Sequence, residues 1–179
     1  MLSNADYKMK IGEEAKDFSL KCTEGHIHTL KGFDKKLLVL FFTCNHCPYA
    51  QAYEERVNNL IEKYSDVDFV GINSNDSDKY PEDSFDEMVK RKKSEGLKFT
   101  YLRDETQEIA KAYGGECTPH FFVFDENRKL IYQGRMDDNW KEPGSVTKNE
   151  LEEAIKAGLK NTKPSIQITS AIGCSIKWS

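Results

Sequence analysis

Residues 37–42 form an unbroken apolar run of six, Leu-Leu-Val-Leu-Phe-Phe. Such a run is the pattern of a strand covered on both faces at the centre of an α/β sheet. From Cys47 onward the period changes. Tyr49, Tyr53, Val57, Leu60, Ile61 and Tyr64 recur at steps of three and four with charge between them, which predicts an amphipathic helix. Pro48 suits its first turn, where the amide that proline lacks has no intrahelical partner. Residues 66–73 read as a second buried strand. Residues 75–83, rich in Asn, Asp, Ser and Pro, read as a surface loop before a helix over 84–94. A short strand follows at 98–102, and Asp104 with Gln107 imitates a capping box for a helix closing at Tyr113-Gly114.

The ends of the chain follow other patterns. Residues 17–21 and 27–30 flank Thr23-Glu24-Gly25 and predict an N-terminal hairpin, with Gly25 supplying the positive φ of the turn. Residues 120–125 and 129–133 alternate around a turn at 125–128, an antiparallel hairpin expected at the sheet edge. Thr147 and Glu150 are expected to cap a last helix reaching about Lys160. Residues 163–179 carry no clear periodicity. This order predicts one α/β domain over 1–162, a mixed central sheet covered on both faces in a three-layer α/β/α arrangement, with a central β/α insert and a C-terminal tail over 163–179 packed on it. The strand and helix order is that of the thioredoxin fold.

Composition narrows the function. Of 179 residues 38% are hydrophobic and 31% charged, with a formal net charge of -4, so the chain offers no positive field for a nucleic acid. No stretch reaches the roughly 20 apolar residues of a spanning helix, so no membrane partner is expected. Residues 1–16 lack an apolar leader, and the chain read as complete is expected in the cytoplasm. Five cysteines with one close pair do not make a disulfide framework.

That pair, Cys44-Asn45-His46-Cys47, lies between the buried strand and the amphipathic helix. Free amides and the positive end of the helix dipole stabilise a thiolate there, so Cys44 is expected to have a depressed pKa and to attack, with Cys47 as the less exposed resolving sulfur. Redox chemistry and a metal site are both open to this motif. His46 either supplies a hydrogen bond or positive charge to the Cys44 thiolate, raising the reduction potential, or is an exposed residue with no such role. In Cys117-Thr118-Pro119-His120 the proline precedes a strand and is a candidate for a cis peptide bond. Arg135 is a source of positive charge near the thiolates or one side of a surface salt bridge. Cys117 is a third redox thiol, a metal ligand or a buried inert cysteine. Cys174 is an extra resolving thiol or simply a tail cysteine, and Cys22 has no evident partner. His26 and His28 share a strand face, which allows a metal but is common without one.

Three segments carry a family resemblance: Gly12-x-x-Ala15-x-Asp17-Phe18-x-Leu20, Cys44-Asn45-His46-Cys47-Pro48-Tyr49 and Cys117-Thr118-Pro119. Together they resemble the AhpC/TSA, or redoxin, branch of the thioredoxin superfamily, and more narrowly its peroxiredoxin-like proteins, over residues 10–160; the ending Gly173-Cys174-Ser175-Ile176-Lys177-Trp178 is similar to that subgroup's. The resemblance implies a thioredoxin fold and thiol-dependent redox activity. It also implies that Pro119 faces the cysteine pair, where its backbone pairs with a substrate polypeptide and it keeps metals away. Against the peroxiredoxin motif Pro-x-x-x-Thr-x-x-Cys, Leu40 replaces the proline, Cys44 stands at the threonine and Cys47 takes the peroxidatic position. The expected activity is therefore dithiol exchange on a protein or small-molecule disulfide, re-reduced by an external thiol of the thioredoxin or glutathione type, with no bound cofactor. The alternatives are a peroxide-reducing antioxidant enzyme and a copper or zinc carrier.

Overall fold

A computed structural model describes residues 6–179. Residues 1–5 of the expected domain and of its leaderless start lie outside them. Seven strands form one mixed sheet in the order β2-β1-β5-β4-β3-β7-β8: β1 (Ser19–Cys22), β2 (Ile27–Thr29), β3 (Leu37–Phe42), β4 (Val67–Asn73), β5 (Thr100–Arg103), β7 (His120–Phe124) and β8 (Leu130–Gly134). A separate two-residue strand β6 (Cys117–Thr118) pairs with β9 (Cys174–Ser175). The helices are α1 (Pro48–Lys63), α2 (Phe85–Ser94), α3 (Glu108–Tyr113) and α4 (Glu150–Leu159).

The apolar run of β3 exists because both its faces are covered. It lies parallel to β4 and antiparallel to β7 at the middle of the sheet. Leu37, Val39 and Phe41 point into one core with Tyr53, Val57 and Leu60 of α1, Met88 of α2 and Leu151, Ala154 and Ile155 of α4. Leu38, Leu40 and Phe42 point into the other, with Ala110 and Tyr113 of α3 and Ile176 of the tail. The chain is thus a three-layer thioredoxin fold, as its pattern predicts. Gly71 on β4 marks how tightly the first core closes: a Cβ there would stand 2.6 Å from the Phe99 ring.

Three local expectations are corrected in whole or in part. Residues 75–83 are a surface segment only in their middle, where Asp78, Lys79, Pro81 and Glu82 are exposed, because Asn75 and Asp83 at its two ends are buried. Asp104 does serve α3, accepting from the amides of Ile109 and Ala110, yet the N-cap is Gln107, whose left-handed backbone (φ 64°) turns its side chain away from a capping box. Thr147 bonds Asp138 rather than capping α4, whose N-cap is Asn149 and makes no side-chain cap bond. The tail runs back over the body, bridging Ile168 to Gln133 and ending as β9 on β6.

His120, at the start of β7, is fully buried between the rings of Tyr7 and Phe122. Its Nδ1 accepts from the Glu116 amide, and burial pushes its pKa down to about 3. An unfolded histidine titrates near 6.5, so between pH about 6.5 and 3 the unfolded chain binds the proton that the folded chain refuses. The histidine's contribution to stability is therefore complete above that window and is lost as pH falls through it. The unfolding free energy from urea titrations should fall with acidification by up to about 1.4 kcal/mol per pH unit from this group, and the slope should be shallower in His120→Gln; equal slopes would contradict the assignment.

Candidate active site

The site is assembled where β3 ends and α1 begins. Cys47 is the N-cap residue of α1, with Pro48 at the first helical position. Cys44 and Cys47 are both buried, 1% and 0% exposed. The Thr118–Pro119 peptide bond is cis, and Thr118 meets both sulfurs: its Oγ1 lies 3.4 Å from Cys44 Sγ and its carbonyl oxygen 3.2 Å from Cys47 Sγ. Cys174 packs against the same cluster from the tail.

The two sulfurs share one proton unequally. The Cys44 thiol donates to the Cys47 sulfur, which drives the Cys47 pKa down, and the Cys174 thiol, the Thr118 hydroxyl and the Ala50 amide add to that effect against the cost of burial. Contact with the Thr118 carbonyl opposes a charge on Cys47, but these donors and the helix N-terminus outnumber it. Cys44 goes the other way. Its hydrogen bond to Cys47, its burial and the nearby Asp83 carboxylate all push its pKa up. These surroundings run opposite to the expectation of a depressed Cys44: Cys47, at the helix terminus, is the sulfur whose pKa they lower, and Cys44 the one whose pKa they raise.

Asp83 reaches the site from the segment after β4. Its Oδ1 accepts from the Asn45 amide at 2.6 Å and from Asn73 Nδ2 at 3.4 Å. Its Oδ2 accepts from Asn75 Nδ2 at 2.8 Å and lies 2.5 Å from His46 Nδ1. The His46 ring also stacks on Tyr80, with planes 2° apart. His46 is thus fixed to a carboxylate, not left exposed. Arg103 binds the backbone of the same segment through the carbonyls of Asn73, Asp83 and Asn75. Ligand atoms of Cys44, His46 and Asp83 lie within 4.8 Å of one another, a sulfur, nitrogen and oxygen donor set suited in type to a borderline divalent cation such as zinc. Both Asp83 oxygens are already engaged by protein donors, so a cation would have to displace some of them.

The other sequence candidates divide. Cys117 is buried, its pKa pushed up to about 12 by desolvation, and its thiol faces the Pro119 carbonyl at 3.7 Å, the environment of an inert cysteine. Cys22 is a core residue. Arg135 pairs with the buried carboxylate of Glu150. His28 stacks on Phe33, and the metal-competent group among the described residues does not include it or His26.

The family model for redoxins matches residues 10–155. The chain belongs to the redoxin family. This redoxin is 31% identical over 152 residues to the thiol-disulfide oxidoreductase ResA of Bacillus thuringiensis subsp. konkukian, a match covering 83% of this chain and 79% of the relative. Among solved structures it resembles an uncharacterized conserved protein from Geobacillus kaustophilus, with a TM-score of 0.91 and 38% identity over 97% of this chain and 95% of that one. A hypothetical protein from Sinorhizobium meliloti 1021 superposes with a TM-score of 0.88 at 35% identity, covering 96% of each chain. A putative thiol:disulfide interchange protein DsbE from Chlorobium tepidum shares the fold, with a TM-score of 0.61 and 23% identity over 70% of this chain and 85% of that one. No helix among the described residues is long and apolar enough to cross a membrane.

Sequence reasoning missed Asp83, Asn75 and Gln107. The one available signal was negative: a loop of short polar residues with no reason to be buried until a histidine and an arginine elsewhere need partners. The redoxin's closed site also depends on Gly173, where a Cβ would stand 2.1 Å from the Thr118 carbonyl oxygen. Gly173→Ala should unseat β9 and speed iodoacetamide labelling of Cys47 near neutral pH by about tenfold or more, a thiolate made accessible being the reactive species. Peptide mapping of the labelled protein checks this, and unchanged labelling would show that β9 does not cover the sulfur.

Proposed function

We propose that this redoxin is a thiol–disulfide oxidoreductase whose Cys44–Cys47 pair cycles between dithiol and disulfide. The observation that carries the reading is geometric: two buried sulfurs pack together at the N-terminus of α1, and both meet Thr118 of the cis Thr118–Pro119 bond. Redoxin relatives named as thiol-disulfide oxidoreductases support it.

The roles follow from the protonation states. Cys47 attacks a sulfur of a protein or small-molecule disulfide, forming a mixed disulfide and releasing one substrate sulfur as a thiolate. Cys44 then gives its proton toward the His46–Asp83 pair, whose nearest ligand atoms lie within 4.8 Å of Cys44 Sγ, and attacks the Cys47 sulfur. The second substrate sulfur leaves, and the Cys44–Cys47 disulfide remains. A thiol reductant of the thioredoxin or glutathione type restores the dithiol. This order reverses the one expected from the sequence, because the N-cap is Cys47. A thiol peroxidase is the second reading, favoured by the same low-pKa Cys47 in the position that the peroxiredoxin motif gives its peroxidatic sulfur.

Redox titration of the full chain in glutathione buffers, followed by mapping of disulfides, should find the Cys44–Cys47 bond. With Cys174 also replaced by Ser so that the pair is tested alone, Cys44→Ser should accumulate a substrate adduct on Cys47, whereas Cys47→Ser should lose exchange activity by about a hundredfold or more, the loss of the activated thiolate. No pair disulfide at any poise would refute the reading. Peroxide oxidation of Cys47 far faster than that of free cysteine would move the peroxidase ahead.

A further inference from the structure

Of the three sulfurs that meet at this site, the two of the pair are sealed from solvent, and only Cys174 is partly exposed. Its position is built rather than incidental. Strand β9 pairs antiparallel with β6, placing the Cα of Cys174 opposite that of Thr118. The carbonyl oxygen of Thr118 is at once 3.2 Å from Cys47 Sγ and in contact with the backbone of Gly173, so the strand holding Cys174 and the sulfur of Cys47 meet at the same peptide group.

The chain on the far side of Cys174 is anchored as firmly. Ile176 is buried in the core and its amide donates to the Glu116 carbonyl. The Lys177 amide donates to Asn75 Oδ1 at 2.9 Å, and its carbonyl accepts from the Asp76 amide at 2.8 Å and from Gln107 Nε2 at 2.9 Å. The Ser179 amide and hydroxyl both donate to Gln107 Oε1. These contacts fix Cys174 between two anchors and explain why Gln107 and Asn75 are turned inward. Nothing in the folding of the sheet alone requires a cysteine there.

We propose that Cys174 is a third redox thiol, which takes over Cys47 from Cys44 and presents the resulting disulfide to the external reductant. The proposal rests on the pair cycling through a disulfide. In the step, the Cys174 thiolate attacks the Cys47 sulfur of the Cys44–Cys47 disulfide. The Cys47–Cys174 bond forms, the Cys44–Cys47 bond breaks, and Cys44 leaves as a thiolate that takes up the proton given up by Cys174. No electrons enter or leave the protein. A dithiol reductant then attacks the partly exposed Cys174 sulfur, Cys47 departs as its stable thiolate, and the reductant's second thiol frees Cys174. The reductant ends as a disulfide and the protein as three thiols.

Protonation favours this sequence. Burial, the hydrogen bond to Cys47 and the Cys47 charge push Cys174 up to about 11 in the reduced protein, which leaves it a poor nucleophile while no disulfide is present. Oxidation of the pair removes the Cys47 charge, and Lys177 still pulls the pKa down. The remaining deficit in thiolate, at most about ten-thousandfold near neutral pH, is within the effective molarity of roughly 10⁵ M or more that a held neighbour provides.

The test uses the full chain. Cys44→Ser equilibrated in a glutathione buffer should form the Cys47–Cys174 disulfide at least ten times more abundantly than any bond to Cys22 or Cys117. In Cys174→Ser the Cys44–Cys47 disulfide should still form, and its reduction by dithiothreitol should slow at least tenfold. Only glutathione adducts on Cys47 in the first variant, or reduction of the second at the wild-type rate or faster, would overturn the proposal while leaving the pair's own chemistry intact. Absence of any Cys44–Cys47 disulfide in the wild type would instead remove the functional reading on which it rests.

Discussion

A buried carboxylate with four partners governs the arrangement of this site. Asp83 takes the Asn45 amide, and so fixes the turn between the two cysteines; it takes His46, Asn73 and Asn75, and so binds the segment after β4 to that turn. A carboxylate removed from water without such donors would cost several kcal/mol or shed its charge. Here each donor offsets part of that cost, and each is an element of the active site. Asn75 extends the network further, because its other amide atom receives the Lys177 amide and so connects the carboxylate to the tail. The same negative charge helps decide which cysteine keeps the proton, since it faces Cys44 and not the helix terminus.

The fold was legible because its signals are local. The apolar run of β3, the helical period after Pro48 and the glycine turn of the first hairpin each depend on neighbouring residues only, and strand β3 has the bounds that the run predicts. The cysteine pair and the proline at 119 were legible for the same reason: spacing and context suffice. The partition of charge within the pair was not. It depends on where α1 begins, three residues later than a depressed Cys44 requires, and on the Asp83 carboxylate, 39 positions beyond Cys44, whose surroundings read as a loop. The tail was illegible because a two-residue strand leaves no periodicity, and because its partners Gln107 and Asn75 look like capping and loop residues until the tail is in place.

These features fit membership of the redoxin family with a local rearrangement of its chemistry. The sheet and the cis proline segment supply the frame, and α1 supplies the electrostatic bias toward a thiolate. The polar segment 73–83 and the tail supply the particulars: a fixed histidine beside the protonated sulfur, and a lid strand carrying a sulfur of its own. Burial of both reacting cysteines makes access the controlled variable, since a substrate reaches the sulfurs only when their cover opens.

The central claim is that in the reduced protein the thiolate sits on Cys47 and the proton on Cys44. It is tested most directly by titrating the ultraviolet thiolate absorbance of the reduced full chain beside that of Cys47→Ser. The account predicts one thiolate that persists well below the ordinary cysteine range of about 8.5 and is absent from the variant. Thiolate absorbance that appears only at or above that range, or that survives in Cys47→Ser, would contradict it.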